Sequence, residues 1–483
     1  MTERDAGDPI VAGPILYARG SDATACRLSA LVVLRDDAAA MTLTPDGGSP
    51  VDGEETGRFP GHRTIVYDFE LPAGSGAGYE LGGVRHEVST DLSGDLRIAF
   101  VSCNGQENGD EEREHGDRDV LWRRLLDEHR RAPFALLLHG GDQLYADEAV
   151  RAHPELERWA EAGDDDKLTI GIDQPMREAL RGYFFRRYLD LLRQPAAASL
   201  YACVPSMMIW DDHDICDGWG SHPRGLQESL VGRALFETAR EAFVIFQLGG
   251  RADRLPSICL DPTGASLSCA AAFPGVSVVL PDLRSERTPT RVMGEPGWAA
   301  IERAFAAMPD GDRRLVVSSV PTLGPRMSLV EAFLDFLPHS SGFEDDLRDQ
   351  WQSRAHRDEW CRWLRLLERQ STEHGAPVTI VSGEIHLAAR ATMTFSNGEA
   401  MHQLVASGIT HPEPPAAFAA GLGLLCGAGQ APLRGRPIRF GRLPGRPGRY
   451  TAERNFLVLE RRAERWTTAW ELERSGRTPA LAI

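Results

Sequence analysis

The chain has 483 residues, 42% hydrophobic and 25% charged, a globular balance with room for two or three domains. Its net charge of -17 argues against nucleic acid as a stable partner, because Lys and Arg must replace counterions along the phosphates. No apolar run reaches the ~18 residues of a membrane-spanning helix.

The N-terminus, with Glu3, Asp5 and Asp8, lacks the basic-then-apolar pattern of a secretory signal. The eight cysteines (26, 103, 203, 216, 259, 269, 361 and 426) form no Cys-x-x-Cys pair, which suits thiols in a reducing, cytoplasmic compartment.

In chain order, Ile15 to Ala18, Leu28 to Leu34, Thr64 to Leu71 and Tyr79 to Val88 are extended runs between Gly, Pro and Asp clusters. They predict a small β-sandwich domain over residues 1–94. From residue 95 to 483 strands alternate with helices, the pattern of an α/β domain. Predicted strands are Leu96 to Ser102, Phe134 to Leu138, Ser206 to Trp210, Ser277 to Leu280, Arg314 to Ser319, Val378 to Ser382 and Met401 to Ala406. Predicted helices are Asp119 to Arg131, Met176 to Leu192, Gln227 to Leu248, Trp298 to Ala307 and Arg357 to Glu373. Gly324 to Trp351 has no assignable period and is read as an insertion over the site. Asn455 to Glu471 reads as a closing hairpin.

Four predicted strands end in side chains of ligand type: Cys103, Asp142 after two glycines, Asp211-Asp212-His213-Asp214, and Glu384-Ile385-His386. In open α/β sheets ligands bind outside the carboxyl ends of strands, so the four ends predict one shared site. Carboxylates, an imidazole and a thiolate can hold two cations, with one carboxylate shared. Such a pair activates water and neutralises phosphoryl charge. An acidic chain that handles phosphate esters needs that local positive charge.

Gly-Gly-Asp142-Gln-Leu-Tyr145, Trp210-Asp-Asp-His-Asp214 and Ser382-Gly-Glu-Ile-His-Leu-Ala388 resemble the motifs of the PhoD-like (alkaline phosphatase D) family of calcineurin-like metallophosphoesterases. Ser102-Cys103, Leu280-Pro-Asp-Leu-Arg-Ser-Glu-Arg287 and Leu404-Val-Ala-Ser-Gly-Ile-Thr-His411-Pro resemble it too, so the likeness spans roughly residues 95 to 460. It implies a four-layer αββα domain, often preceded by a β-sandwich. It also implies metal-dependent hydrolysis of a small-molecule phosphate mono- or diester. The metals implied are Fe3+ and Ca2+, with Mn2+, Zn2+, Co2+ or Mg2+ as substitutes. By the same resemblance Asp142 bridges the ions, Cys103 and Tyr145 join on the ferric one, and His386 binds the first metal. Asp212 is a further ligand and His213 the catalytic histidine. Glu384 stands where PhoD-like enzymes carry Asp, a departure that bears on metal identity and substrate range.

Several residues take plainer expectations. Asp211 and Asp214 are read as acids supporting the ligands, Cys216 and Asp217 as loop residues, and His139 as core. His115, His129, His153, His356 and His374 are read as solvated. Arg284 and Arg287 are as suited to ion pairs with Asp282 or Glu286 as to phosphate. The arginines from Arg434 to Arg449 read as a solvated loop. Two other readings compete: an inactive relative that binds a phosphorylated ligand or partner, and a hydrolase with Cys103 as nucleophile and His213 or His386 as base. Retention of His213 and of every ligand-type residue argues against the inactive relative.

Overall fold

Short, largely apolar runs of five or six residues, too short for helices and buried on both faces, pair in parallel in the computed structural model of the chain. The structure describes residues 9–74, 76–221, 224–325, 350–383 and 385–483.

Among these, eleven strands form one sheet. Its order is β23 (Gly476–Arg477), β22 (Arg465–Leu472), β21 (Asn455–Arg462), β9 (Leu96–Val101), β10 (Leu136–Gly140), β11 (Ser206–Ile209), β1 (Ile10–Ser21), β2 (Ala25–Arg35), β6 (His62–Pro72) and β5 (Glu54–Phe59), with β24 (Leu481–Ala482) on β22. A second sheet runs β12 (Cys269–Phe273), β13 (Val276–Leu280), β14 (Arg313–Ser318), β15 (Val378–Ser382), β17 (Ala400–Val405), β16 (Ala388–Thr394), β19 (Arg436–Gly441) and β18 (Gln430–Leu433), with β20 (Tyr450–Thr451) beside β16. A small third sheet joins β4 (Val51–Asp52), β3 (Thr42–Pro45), β7 (Ala77–Leu81) and β8 (Val84–Val88).

β9, β10 and β11 run parallel, as do β13, β14, β15 and β17, so each group ends at one edge. Helical crossovers such as Val120–Arg131, between β9 and β10, make that pairing sterically accessible. One core draws on both large sheets: Ile98, Phe100 and Leu137 meet Val278, Val317, Val381 and Leu404 in it. A second core packs the helices Glu295–Ala307 and Arg357–His374 onto Val279, Val316 and Ile380 of the second sheet. A third lies between β1, β2, β6 and β3, β7, β8.

Residue 94 does not interrupt the first sheet, because β1 pairs in parallel with β11 and carries the N-terminal strands into it. Tyr79 to Val88 is a hairpin, turning at Gly82 and Gly83, which both have positive φ. The helix expected over Gln227 to Leu248 is interrupted at Ser229, whose hydroxyl caps Leu230–Phe246 by accepting from Gly232 N–H at 3.0 Å. His356 is buried rather than solvated, with Nδ1 3.1 Å from Ser353 Oγ. The arginine-rich loop is partly strand, β19, and Ala416–Leu425 is a helix that the periodicity did not mark. Most of the segment read as an insertion, residues 326–349, lies outside the described residues, as does Glu384. Among the described residues no helix is long and apolar enough to cross a membrane.

Candidate metal centre

The site grows out of strand ends. Two residues past β9 the chain reaches Cys103, and two past β10 it reaches Asp142. β11 delivers Asp211 to Asp214, β15 leads to His386, and β17 leads to Ser407 and His411. Cys103, Asp142 and His386 have φ of 54°, 55° and 51°, a left-handed conformation that costs non-glycine residues about 1–3 kcal/mol. The backbone around them holds it: Asn104 N–H donates to Asp142 C=O at 2.7 Å, and His411 N–H to Cys103 C=O at 3.1 Å. Gly141, at φ +94°, brings the chain so close that a Cβ there would lie 2.7 Å from Asp211 Cβ.

Cys103 is fully buried, with Sγ 3.4 Å from Asp142 Oδ2 and 3.1 Å from Ser407 Oγ. That burial does not suit the nucleophile reading, since a reactive thiol must meet substrate. Ser407 Oγ also accepts from His386 N–H at 2.9 Å, so one hydroxyl joins the ends of β9, β15 and β17. The Tyr145 ring stacks on His213 at 4.4 Å and lies 5.4 Å from His411. The His386 ring lies against His411 at 3.5 Å.

Asp142 Oδ1, the Tyr145 hydroxyl and His386 Nδ1 are buried with no hydrogen-bond partner among the described residues. Leaving such atoms unsatisfied normally costs about 1–3 kcal/mol each. Burial, then the charges of Asp211, Asp212 and Asp214, push the Asp142 carboxyl well above its ordinary range despite His213. Burial, then the thiol of Cys103 and the Asp142 carboxylate, push the Tyr145 phenol up. Burial, then His411, hold His386 well below its ordinary value, hence neutral with a lone pair to give. A crowd of buried carboxylates with orphaned oxygen and nitrogen donors fits bound cations, whose charge would draw the Asp142 carboxyl and the Tyr145 phenol back down and keep His386 neutral.

Three groups place their donor atoms within 4.8 Å of one another: Asp142, Asp211 and Asp212; Asp212, His213 and Asp217; and Glu107, His386 and His411. Burial opposes ionisation of Asp212, but Arg284 (Nη2 to Oδ1, 3.2 Å) and His213 outweigh it and lower its pKa. Arg284 also pairs with Asp211, so its guanidinium reaches acids beyond Asp282 and Glu286, while its main-chain N–H donates to Asp282 Oδ1 at 3.0 Å. Asp214 accepts from the N–H groups of Asp142 (2.9 Å), Leu144 (3.0 Å) and Asp211 (2.9 Å), which fixes two strand ends together.

The sequence reading left four contributors out of the site: Asp147, Glu107, His411 and Arg284. Asp147 Oδ1 lies 3.0 Å from His213 Nδ1 and 2.7 Å from Asp217 N, so it holds the histidine ring. Despite burial, Asp147 and Asp212 raise His213 well above its ordinary pKa. Glu107 Oε1 lies 3.0 Å from His411 Nε2, and Arg284 fills the base of the acid cluster. The available signals were short spacings: Asp147 two residues after Tyr145, Glu107 four after Cys103.

These features define the class: a mixed α/β protein with a metal-ligand-rich site at the carboxyl ends of its parallel strands. The chain belongs to the family of PhoD related phosphatases, whose family model matches residues 80–342, from before Cys103 to beyond Arg284. It is similar in fold to the solved structure of PhoD, with a TM-score of 0.59 at 11% identity, covering 99% of this chain and 90% of that one. An uncharacterized protein of Saccharomyces cerevisiae, YGR266W, is 25% identical over 328 residues, 56% of this chain and 47% of its own length. The chain thus spans about half the length of that curated relative.

Proposed function

We propose that the chain hydrolyses small-molecule phosphate esters at a binuclear metal centre. The observation that carries this is the trio of buried donors without partners, Asp142 Oδ1, Tyr145 O–H and His386 Nδ1, on strand ends shared with Cys103 and Asp212. Cys103, Tyr145 and His386 would hold one ion, Asp142 would bridge, and Asp212 would serve the other, with Glu384 the remaining candidate from the sequence. The ions implied are Fe3+ and Ca2+, or a divalent substitute; bound, they supply an activated water and neutralise phosphoryl charge. His213 donates Nδ1–H to Asp147, which fixes the ring and leaves Nε2 for the leaving-group oxygen. Arg284 keeps Asp211 and Asp212 in place from beneath.

Family membership and the PhoD-like fold support the phosphoesterase reading. The core shared by both large sheets, with helices on the far face of the second, supports a four-layer αββα domain over 95–483. The core between β1, β2, β6 and β3, β7, β8 supports a preceding β-sandwich over 1–94. Eight cysteines outside any disulfide support a cytoplasmic location.

The test is turnover of 4-nitrophenyl phosphate and bis(4-nitrophenyl) phosphate by metal-loaded chain, before and after chelation, with metal content measured. Chelation should abolish turnover and re-addition restore it. Full turnover in rigorously metal-free chain would exclude the proposal, and metal binding with no turnover of either ester would favour the inactive relative.

A further inference from the structure

Two of the eight cysteines, Cys259 and Cys269, the first residue of β12, face each other across a short antiparallel bridge. Their Sγ atoms lie 3.6 Å apart, in contact but unbonded. Leu260 N–H donates to Ser268 C=O and Ala270 N–H to Ile258 C=O, both at 2.9 Å. Those bonds flank the cysteines and make them a non-hydrogen-bonded pair, the arrangement that brings opposed Cα atoms to about 4.5 Å. A disulfide spans Cα separations of about 4.4–6.8 Å, so the backbone is already in range and only the side chains must turn.

The two thiols differ as an attacking and a resolving thiol must. Cys259 is half-buried, whereas Cys269 is fully buried. A hydrogen bond from Cys269, and then the charges of Arg19 and Arg240, lower the pKa of Cys259 against the opposing pull of burial. Cys269 is held up as a thiol by that same bond and by burial, and Leu267 C=O at 3.2 Å is a second acceptor for its proton. Partly exposed thiols in electropositive surroundings are the reactive ones, while a buried thiol acts only on a sulfur brought to it.

The residues between the two cysteines form a strap over Asp282. Leu267 N–H donates to Asp282 Oδ2 at 2.7 Å, and Ser268 Oγ accepts from Asp282 N–H at 2.9 Å. Asp282 Oδ1 in turn accepts from Trp210 Nε1 at 2.9 Å and from Arg284 N–H at 3.0 Å. The strap therefore braces Trp210, the residue before Asp211, and the main chain of Arg284, whose guanidinium holds Asp211 and Asp212.

We propose that Cys259 and Cys269 are a redox-active dithiol that takes low-molecular-weight disulfides, and that its closure stiffens the strap over Asp282. The Cys259 thiolate attacks one sulfur of a disulfide such as oxidised glutathione, breaking its S–S bond, and the released thiolate takes up the Cys259 proton. Cys269 then attacks the Cys259 sulfur, forming the protein disulfide and expelling the second small thiol with the Cys269 proton. Two protein thiols are oxidised by two electrons, and one small disulfide is reduced to two thiols. In a reducing compartment the pair rests open, and it closes as the disulfide pool rises.

The folded full chain is incubated with oxidised glutathione, quenched with N-ethylmaleimide in denaturant, and mapped by mass spectrometry. Both cysteines fall in one tryptic peptide, 255–284, so closure reads as the loss of two hydrogens and of both alkylation sites. That form should appear before any other cysteine is oxidised. Cys269→Ser should stop with glutathione on Cys259, whereas Cys259→Ser should leave Cys269 unmodified. Closing a loop between cysteines ten positions apart should place the Tm of the oxidised chain a few degrees above that of the same sample after reduction. Cys259→Ser, treated alike, should show no such shift. Wild-type chain that keeps both alkylation sites, or glutathione on Cys269 in place of Cys259, would overturn the dithiol. A closed pair with an unchanged Tm would overturn the strap. Should either variant fail to fold, the wild-type map decides alone, and no readout depends on turnover.

Discussion

Replacing Asp147 by Asn keeps the shape of the side chain and removes the charge that holds His213. The bond is 3.0 Å between largely buried partners, and a hydrogen bond to a charged group is worth about 1.5–3 kcal/mol. If the interaction matters only as the leaving group departs, its loss slows the reaction roughly 10- to 150-fold, at about 1.4 kcal/mol per tenfold. The effect should depend on the leaving group. An alkoxide needs its proton, so alkyl phosphates should lose the full factor, while nitrophenyl phosphates should lose a few-fold at most. The assay is kcat for both ester types in wild type and Asp147→Asn, at saturating metal and with metal content measured by mass spectrometry. Asp147 is outside the proposed ligand set, so metal content should stay near the wild-type value. Equal losses on both esters, with metals retained, would refute the leaving-group role and recast His213 as a group that stabilises phosphoryl charge.

Asp142→Asn should lower metal content and cut kcat at least 100-fold, since even partners of ligands typically cost about 10–100-fold; near-normal metal and turnover would exclude Asp142 as the bridge. His411→Ala removes the ring stacked on His386, so metal affinity should fall about tenfold, read by competition with a chromogenic chelator. His139, fully buried between Gln143 and Ser206, is pushed down to about 4 by burial, against about 6.5 in the unfolded chain. Its contribution is therefore intact above pH 6.5 and lost as pH falls toward 4, by up to about 1.4 kcal/mol per pH unit. Urea unfolding at pH 7 and pH 5 should show that loss in wild type and less of it in His139→Gln.

Legibility followed the physics of each element. β9, β10, β11, β13, β14 and β15 were readable because a strand buried on both faces is a short continuous apolar run, and the ends of β9, β10 and β11 led to Cys103, Asp142 and Asp212. β16 and β19 were not, since they lie toward an edge of the second sheet and mix Arg and Thr with apolar residues in no clear alternation. The helix Ala416–Leu425 escaped because an all-apolar, glycine-containing segment has no polar face to reveal a period. Asp147 opens a short 3-10 helix and Glu107 sits in a loop, places where acidic residues are common, and only the fold brings them to His213 and His411. Arg284 was weighed against acids close in sequence, whereas its partners, Asp211 and Asp212, are more than seventy positions away.

An anomalous difference map from crystals of the metal-loaded chain tests the binuclear centre most directly. Two peaks about 3.5–4 Å apart are expected, with the Asp142 carboxylate between them, Cys103 Sγ, the Tyr145 oxygen and His386 at one and Asp212 at the other. A map without peaks at these residues, or with a single ion held only by Asp212, His213 and Asp217, would contradict it.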